Sequence, residues 1–446
     1  MTYPVVAAGE PAASVTDRVS GVTLRLRTPR WWWLCFGLSL ALLAGGMFAV
    51  GVLFLEGIQA WGNNWPVMWG FAIINYVWWI GIASGGTLIS SLFFLTGADW
   101  RGSVNRIAEA MTIFAAVCAG IYPIIHLGRP WFFYWLAPYP NTMNLWPQFK
   151  SPLLWDFIAI LTYVVASLLF FLLGLLPDMA ALRDRATTRA TQVVYGVLAM
   201  GFRGTGLQWR RYHAAYGVMA GIMAPLVCSV HSVVGLDFAA SAMPGWYSTQ
   251  YPPFFVFGAA LSGFGMVLLL LVPLRRLLDL RAYITARHLD VLCRLLLTAS
   301  IAVSYCYVMD AFDVFYGGEA ATKTQFIERI TGQYAVVYWA TLGLNCLLPH
   351  LLWFRALRIR PWSVVLVSLG AVVGMWFERF GIVIAVLHRP QLPSSWGSYA
   401  PTVWDYLLFA GTVGLFGAGF LLFVRFIPVI AIAEMRELIL RKAGRA

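Results

Sequence analysis

Ten apolar segments, each long enough to cross a lipid bilayer, dominate this chain of 446 residues. A helix needs about 20 apolar residues to cross, and backbone groups in lipid must be satisfied within a helix or a closed barrel. No alternation of the barrel type is visible, so we predict an all-α integral membrane protein. We place its helices near 32–58, 69–95, 107–127, 152–176, 213–239, 252–279, 288–316, 334–357, 361–388 and 403–426.

The composition agrees with a chain that lies mostly in lipid. Hydrophobic residues make up 60% of it and charged residues 11%, whereas a soluble domain carries about 25% charged residues. Residues 1–30 lack the apolar core and the cleavage site of a secretory signal, so we expect the first helix to be retained. The predicted organisation is an N-terminal arm at 1–30, a transmembrane domain at 31–428 and a C-terminal tail at 429–446, with a short interfacial helix at 188–202.

The basic residues are distributed unequally between the two ends of the predicted helices. We call the end that holds the N-terminus the A end and the opposite end the B end. Of the 31 Lys and Arg residues, 24 fall in A-end segments, five in B-end segments and two, Arg294 and Arg379, inside helices. Because loops rich in Lys and Arg stay in the cytoplasm, we predict that the A end and both termini are cytoplasmic. Their dispersal over many short loops argues against a nucleic-acid partner.

Three B-end segments are rich in Trp, Tyr and Pro and poor in charge. They lie at 129–150, at 245–255 ("GWYSTQYPPFF") and at 389–405 ("RPQLPSSWGSYAPTVWD"). An aromatic belt at the lipid headgroups explains many of these rings. A docking surface for a partner outside the membrane is the alternative, because the three segments share this character and the A-end segments do not.

The sequence contains no recognisable set of ligands for a metal. None of the six cysteines belongs to a C-x-x-C motif, which argues against an iron–sulfur cluster, attached c-type haem or zinc. A cytochrome b with two haems needs histidine pairs in facing helices at two depths, and the spacing of the six histidines does not require that arrangement. We therefore predict no catalytic residue and no metal site in this chain alone.

Ionisable residues at membrane depth are costly and usually functional. Near the B end lie His126, Asp156, Asp237, Asp310, Asp313, His388 and Asp405; near the middle lie His231, Glu378 and Arg379; and near the A end lie Glu109, His213, Asp290, Arg294 and His350. Such a ladder predicts a route for protons, and the alternative for each residue is a structural hydrogen bond. The adjacent Glu378 and Arg379 are expected to point to different sides of their helix.

His126 and Asp156 form the most specific pair in this set. His126 ends the third predicted helix and Asp156 begins the fourth, so both lie at the B boundary. A histidine beside a carboxylate can take up and pass on a proton at neutral pH, which is what the oxygens of a quinol require. The alternative for His126 is a capping role at the helix C-terminus, where positive charge is favoured.

Four long motifs resemble the ActC-type membrane subunit of bacterial alternative complex III, within the NrfD/polysulfide-reductase membrane-anchor family. They read "RIAEAMTIFAAVCAGIYPIIHLGRPW", "SPLLWD", "GWYSTQYPPFFVFGAALSGFGMV" and "GMWFERFGIVIAVLHRPQLPSSWGSYAPT". The resemblance implies ten helices built around two four-helix bundles and menaquinol as the ligand, with no metal or haem in the chain. It places the quinol near the periplasmic face, against His126 and Asp156. The implied proton residues are Asp237, Asp310, Glu378 and Arg379.

One position departs from that pattern. The second helix reads "WWIGIASGGTLIS", so Ser84 stands where the family pattern has a histidine. A serine can form a hydrogen bond but cannot become charged, so the headgroup site is expected to be altered. The small residues around it, Gly81, Gly85 and Gly86, allow either a quinone slot or close helix packing.

These observations predict the quinol-binding subunit of alternative complex III in a bacterial inner membrane. Expected partners are membrane lipid, periplasmic iron–sulfur and multihaem cytochrome c subunits, other membrane subunits including a paralogous NrfD-like one, and a terminal oxidase. The alternatives are the membrane anchor of a molybdopterin oxidoreductase and an ion or proton transporter without a redox role. The predicted quinol site comprises His126, Asp156, Ser84 and Arg129, and the predicted proton pathway comprises Asp237, His231, Asp310, Asp313, Glu378, Arg379, Glu109 and Asp290.

Overall fold

Ten helical spans run back and forth across the molecule. The computed structural model describes residues 4–7, 10–25, 27–137, 139, 146 and 148–442, so the predicted aromatic segment at 129–150 and both predicted terminal segments lie partly outside the described residues. No β-strand occurs in these ranges. Spans 1 to 10 are Arg30–Glu56, Phe71–Leu95, Asn105–Ile125, Pro152–Arg185, Gly206–Ala239, Tyr251–Leu277, Ala286–Gly317, Ala335–Trp353, Pro361–Leu387 and Val403–Phe426.

The spans confirm the predicted all-α membrane fold, and the largest differences are at the A end of spans 4 and 5. Span 4 continues to Arg185, beyond the predicted end at 176, because Asp178 is buried in an ion pair with Arg106 instead of lying in a loop. Span 5 begins earlier than predicted, at Gly206, where Thr205 and Gln208 form a capping box. The interfacial helix is Arg189–Leu198.

Among the described residues, three further α-helices of more than ten residues lie outside the spans and were not predicted. Ala12–Thr23 and Ile432–Lys442 pack against each other at the A end, so the described parts of both terminal segments lie together there. Ala320–Thr331 lies at the B end, between spans 7 and 8. These helices are short or charged, so apolar-run length could not reveal them.

Eight of the spans form two four-helix bundles, as the family resemblance implies. In the first bundle, span 2 packs along spans 3 and 5, and span 4 packs along spans 5 and 3. In the second bundle, span 6 packs along spans 7 and 9, and span 8 contacts the same two spans. The bundles meet where span 6 contacts spans 2 and 5 and where span 9 contacts span 2. Spans 1 and 10 form an outer pair that packs on span 3 through span 10.

Glycines set the closest approach between the bundles. A Cβ added to Gly85 of span 2 would collide with the backbone of Gly263 in span 6, and a Cβ on Gly263 would collide with Gly85. Gly86 lies equally close to the carbonyl of Ala108 in span 3. Gly85 and Gly86 therefore serve close helix packing, one of the two interpretations that the sequence left open for the small residues of this span.

Span 8 is the irregular member of the second bundle. It is α-helical over Ala335–Leu342, widens to a π-helix over Gly343–Leu347 and ends as a 3-10 helix over Leu348–Trp353. Helical widening of this kind often marks functional positions. Here it directs Asn345 at span 9, where the Asn345 Nδ2 atom lies 3.5 Å from an oxygen of Glu378.

Candidate functional site

Two carboxylates and a phenol meet at the B end of the first bundle. Asp156 lies in the first two turns of span 4, where Ser151 precedes the helix and Pro152 begins it. Tyr76, one turn into span 2, donates its hydroxyl hydrogen to Asp156 Oδ2. Asp237, near the end of span 5, lies within hydrogen-bonding reach of Asp156. Three different spans thus contribute to this group, which we call the B-end cluster.

The B-end cluster keeps two acceptor atoms free. Asp156 Oδ1 and Asp237 Oδ1 are buried and have no hydrogen-bond partner among the described residues. Two carboxylates this close repel each other when both are ionised, so uptake of one proton by the pair is favoured. A buried acceptor without a partner is unfavourable unless a ligand or water donates to it. The cluster therefore suits a ligand that carries hydroxyl hydrogens.

His126 lies at the same end but does not touch Asp156. It follows span 3 directly, and its Nδ1 atom lies 3.2 Å from the carbonyl oxygen of Pro123. That bond makes Nδ1 the donor and leaves Nε2 as an acceptor. In the described part of the chain, no hydrogen bond or ion pair joins His126 to Asp156. Burial lowers the pKa of His126 below 6.5, opposed by the bond to Pro123, so the neutral ring prevails at pH 7.

The other two residues of the predicted quinol site lie apart from the cluster. Ser84 is eight residues below Tyr76 on span 2, which is roughly 12 Å along a helix axis. Its Oγ atom is buried without a hydrogen-bond partner in the described residues, although the hydroxyl of Tyr163 is close. Arg129 is exposed at the start of the 3-10 helix Pro130–Leu136.

A second polar group lies inside the second bundle, around Glu378 of span 9. Its carboxylate accepts a hydrogen bond from the hydroxyl of Tyr307 in span 7. The adjacent Arg379 was expected to point elsewhere, but its Nη1 atom lies 3.0 Å from Glu378 Oε1 because the long side chain curls back. The guanidinium also lies over the ring of Phe255, 4.1 Å from its centre. Glu378 Oε1 and Arg379 Nη1 are close but not aligned for a hydrogen bond, so both atoms remain available to other hydrogen-bond partners.

Two cavities connect this group with the B end. A cavity of about 360 Å³ opens there and is lined by Asp310 and Asp313 on one face of span 7. A smaller cavity of about 40 Å³ lies between Asp310 and Glu378, and a space of this size holds a few water molecules. The ion pair between Asp310 and Arg329 lines both cavities.

His231 lies where the two bundles face each other. The ring is fully buried in span 5, and neither nitrogen has a hydrogen-bond partner among the residues described. A Cβ added to Gly81 would lie 3.9 Å from its Nε2 atom. The structure therefore places His231 beside Gly81 of span 2, without a hydrogen bond to the B-end cluster or to Arg379.

Glu109 and Asp290, the two A-end residues of the predicted proton pathway, are held in ion-pair networks. Glu109 lies 2.8 Å from Arg106 and accepts a hydrogen bond of 2.8 Å from Tyr216. Asp290 pairs with Arg294 and, at 2.6 Å, with Arg358. Both carboxylates are engaged by these partners, which favours the structural alternative for the two.

Sequence reasoning missed the partners that organise these groups. Tyr76, Tyr307 and Asn345 carry no charge, and they contact carboxylates that lie 80, 71 and 33 residues away in the chain. Arg329 was counted as a loop residue and is part of a helix. The only signal for these partners in the sequence was Tyr76, a polar hydroxyl in the apolar segment "NYVWWIGI".

The donor set of the B-end cluster fits a quinol better than a metal. Among the described residues, no group of three or more His, Cys, Asp or Glu side chains is placed to hold a metal ion. The free oxygens of Asp156 and Asp237 instead offer acceptors to hydroxyl groups. Carboxylate, phenol and nearby imidazole are the proton-handling groups that a quinol needs.

Comparison with known proteins identifies related membrane proteins. Residues 60–391 match the family described as "Polysulphide reductase, NrfD". A protein of Halobacterium salinarum, provisionally named as a dimethyl sulfoxide reductase membrane subunit, is 25% identical over 392 residues, covering 85% of this chain and 84% of its own. A selenate reductase subunit of Mesobacillus selenatarsenatis is 22% identical over 411 residues, covering 86% and 91%. Both names are those of reductase subunits, and neither is that of an alternative complex III subunit.

Proposed function

This chain belongs to the polysulphide reductase NrfD family, and we propose that it is the membrane subunit of a molybdopterin oxidoreductase, exchanging electrons and protons with a quinone. The observation that carries the proposal is the B-end cluster, with two buried acceptor oxygens free. The two relatives described above support a reductase complex over alternative complex III, whose long motifs nevertheless make it the second candidate. In both cases the chain acts within an oxidoreductase complex.

The B-end cluster is proposed to bind the quinol headgroup and accept its protons. When bound, the quinol supplies two electrons and two protons. Asp156 Oδ1 accepts one hydroxyl hydrogen while Tyr76 holds Oδ2 in place. Asp237 takes a proton from Asp156 and, being only half-buried, passes it toward the B end. The Nε2 atom of neutral His126 is the second acceptor at this end.

The second bundle is proposed to carry protons between the B end and the middle of the membrane. Asp313 and Asp310 line the open cavity, and Glu378 lies beyond the small one. His231 and Arg379 continue the line toward the first bundle. Glu109 and Asp290 are left out of this part of the proposal, because neither lines either of the two cavities.

Electrons are proposed to leave across the aromatic B-end face. Several rings there are exposed, including Trp131, Trp135 and Trp396, and a partner that carries iron–sulfur clusters would cover them. This arrangement places the B end outside the cytoplasmic membrane and the A end in the cytoplasm, as the arginine bias predicts. A menaquinol is the proposed ligand.

The experiment measures quinol oxidation by the purified complex with Asp156→Asn and His126→Ala variants. We expect each to lower the rate at least about a hundredfold, because removing a positioned acid or base costs about 10²–10⁴-fold. Glu56→Gln removes an exposed carboxylate at the B end of span 1, of which it is the last residue, and should leave the rate unchanged. Near-normal rates in both test variants, with assembly intact, would remove the site assignment.

Two further measurements separate the candidate functions. Copurification with a molybdopterin subunit supports the reductase, whereas c-type haem absorbance identifies alternative complex III. Ion movement in vesicles by the chain alone, without redox partners, would indicate a transporter. In the redox-active complex, Glu378→Gln should change proton release while quinol binding remains, and unchanged proton release would limit the second bundle to a structural role.

A further inference from the structure

A cavity at the A end combines an apolar wall with charged side chains. It has a volume of about 410 Å³ and lies between spans 4 and 5 and the C-terminal helix Ile432–Lys442. Pro177 and Ala181 of span 4 and Leu440 of the C-terminal helix form apolar parts of its wall. Trp209 and His213, stacked on each other with ring centres 5.7 Å apart, form another side.

The C-terminal helix that closes this cavity is fixed to the spans. Glu434 forms an ion pair with Arg101 at 2.7 Å. The backbone N–H of Ile432 donates to Asp178 Oδ1 at 3.0 Å. The cavity is therefore part of the folded molecule, since its third wall is held by two buried contacts.

Two arginines at the cavity have no carboxylate partner. Arg436 lines the cavity, and Arg210 lies one turn before the lining residue His213 on span 5. Both are exposed with no ion pair among the described residues, whereas Glu437, which also lines the cavity, is paired with Arg441. Arg101, Arg106 and Arg441, in contrast, each have a carboxylate partner. Two unpaired guanidinium groups beside a membrane-level cavity attract an anion.

The neighbouring interfacial helix indicates where lipid begins. Val193, Val194 and Val197 of helix Arg189–Leu198 are 51%, 55% and 71% exposed, respectively. Its other side is tied to the protein, because Tyr195 donates to the carbonyl of Phe426 at 3.0 Å. Exposed valines on a short amphipathic helix are stable when they face acyl chains, so the A-end cavity lies at the level of the lipid headgroups.

We propose that the A-end cavity binds one anionic phospholipid. The phosphate lies between Arg436 and Arg210, and an acyl chain covers Ala181 and Leu440. Trp209 contacts the lipid at the boundary between its polar and apolar parts, as tryptophans do at membrane interfaces. This proposal does not depend on the redox function, because no residue in it belongs to the B-end cluster.

The test measures lipid binding to the full chain in a zwitterionic detergent. Native mass spectrometry and thermal unfolding are recorded with phosphatidylglycerol, with phosphatidylcholine and with inorganic phosphate. We expect phosphatidylglycerol to remain bound and to raise the unfolding temperature, and the other two to do neither. An equal effect of inorganic phosphate would identify a site for free anions. An equal effect of phosphatidylcholine would show that the charge of the lipid does not contribute to binding. Either result overturns the proposal.

Variants test the two halves of the cavity separately. Arg436→Gln should weaken phosphatidylglycerol binding about fivefold, from roughly 1 kcal/mol for each arginine near an anionic lipid surface. Arg360→Gln removes an exposed, unpaired arginine at the start of span 9 and should bind as the parent does. Ala181→Trp fills the apolar wall and should also weaken binding. Parent-like affinity in both Arg436→Gln and Ala181→Trp would overturn the proposal.

Discussion

Two sets of buried carboxylates differ in their neighbours. Glu109, Asp178 and Asp290 each form an ion pair with an arginine, and removing one partner of a buried pair is costly. Asp156 and Asp237 have a tyrosine and each other instead. A carboxylate without a cation beside it can gain and lose a proton during turnover, and this difference separates the proposed site from the structural ion pairs.

The neutral state of His126 leads to a pH prediction at this scale. Burial lowers its pKa below 6.5, so the ring stays neutral, with Nε2 as an acceptor, until the pH falls below that value. The rate of quinol oxidation should therefore be flat above pH 6.5 and fall at lower pH as the ring takes up a second proton. Folding stability should fall over the same range, because the unfolded ring binds the proton first.

His126→Gln provides the matched measurement, because an amide keeps hydrogen-bonding capacity and does not titrate. The pH–rate profile of this variant should lose the acidic decline that belongs to His126. An acidic decline with its midpoint above pH 6.5, unchanged in His126→Gln, would contradict the assignment.

The contacts between residues of the site were the part that was hardest to predict from the sequence. His126 and Asp156 were chosen because their helices are consecutive and antiparallel, and the structure does place both at the B end. Their direct contact did not follow, because the depth of a residue does not determine which way its side chain turns. Tyr76, the actual partner of Asp156, is neutral and 80 residues away.

At the scale of helices, the length of the apolar segments predicted the spans. Charged residues near the ends of these segments led to wrong boundaries for some of the spans. Asp178 and Arg183 look like the start of a loop when read alone, yet span 4 runs past both. Burial of Asp178 against Arg106 makes this possible, and a pairing 72 residues apart is not visible in local composition. The π-helix in span 8 was equally hidden, since no local residue pattern specifies it.

The crossing of spans 2 and 6 at Gly85 and Gly263 gives a prediction for helix packing. Gly85→Ala should destabilise the protein by about 1–3 kcal/mol, as overpacking does, because the added methyl group meets the backbone of span 6. Thermal unfolding in detergent measures the loss.

Gly120→Ala is the control for this substitution. A Cβ at Gly120 of span 3 meets no atom within 4 Å, so the change should raise stability by up to about 1 kcal/mol through helix propensity alone. Equal effects of the two substitutions would show that the crossing is not tightly packed.

For the whole molecule, the arginine bias predicts orientation, and labelling in intact cells tests it. Glu319→Cys places an exposed thiol at the B end, and Arg189→Cys places one at the A end. A membrane-impermeant maleimide should label the first and spare the second until the cells are permeabilised, relative to the parent protein with its own cysteines. The reverse pattern would invert the proposed topology.

The arrangement of the bundles was available from the sequence only through family resemblance. Ten apolar segments specify a count and an alternation of direction, but not which spans are neighbours. Neighbours are decided by small residues and irregular turns, such as Gly85, Gly86 and the widened turn of span 8, whose partners lie far away in the chain.

The contact between Gly85 and Gly263 also bears on how the protein can move. Alternating-access carriers expose a central site to each side in turn by rocking one half against the other. Here spans 2 and 6 meet backbone to backbone at one crossing, with no side chain between Gly85 and Gly263. Separating the bundles would open an empty gap at that crossing. Rocking of one bundle against the other is therefore unfavourable, and the proposed function uses movements of side chains and of the quinone instead.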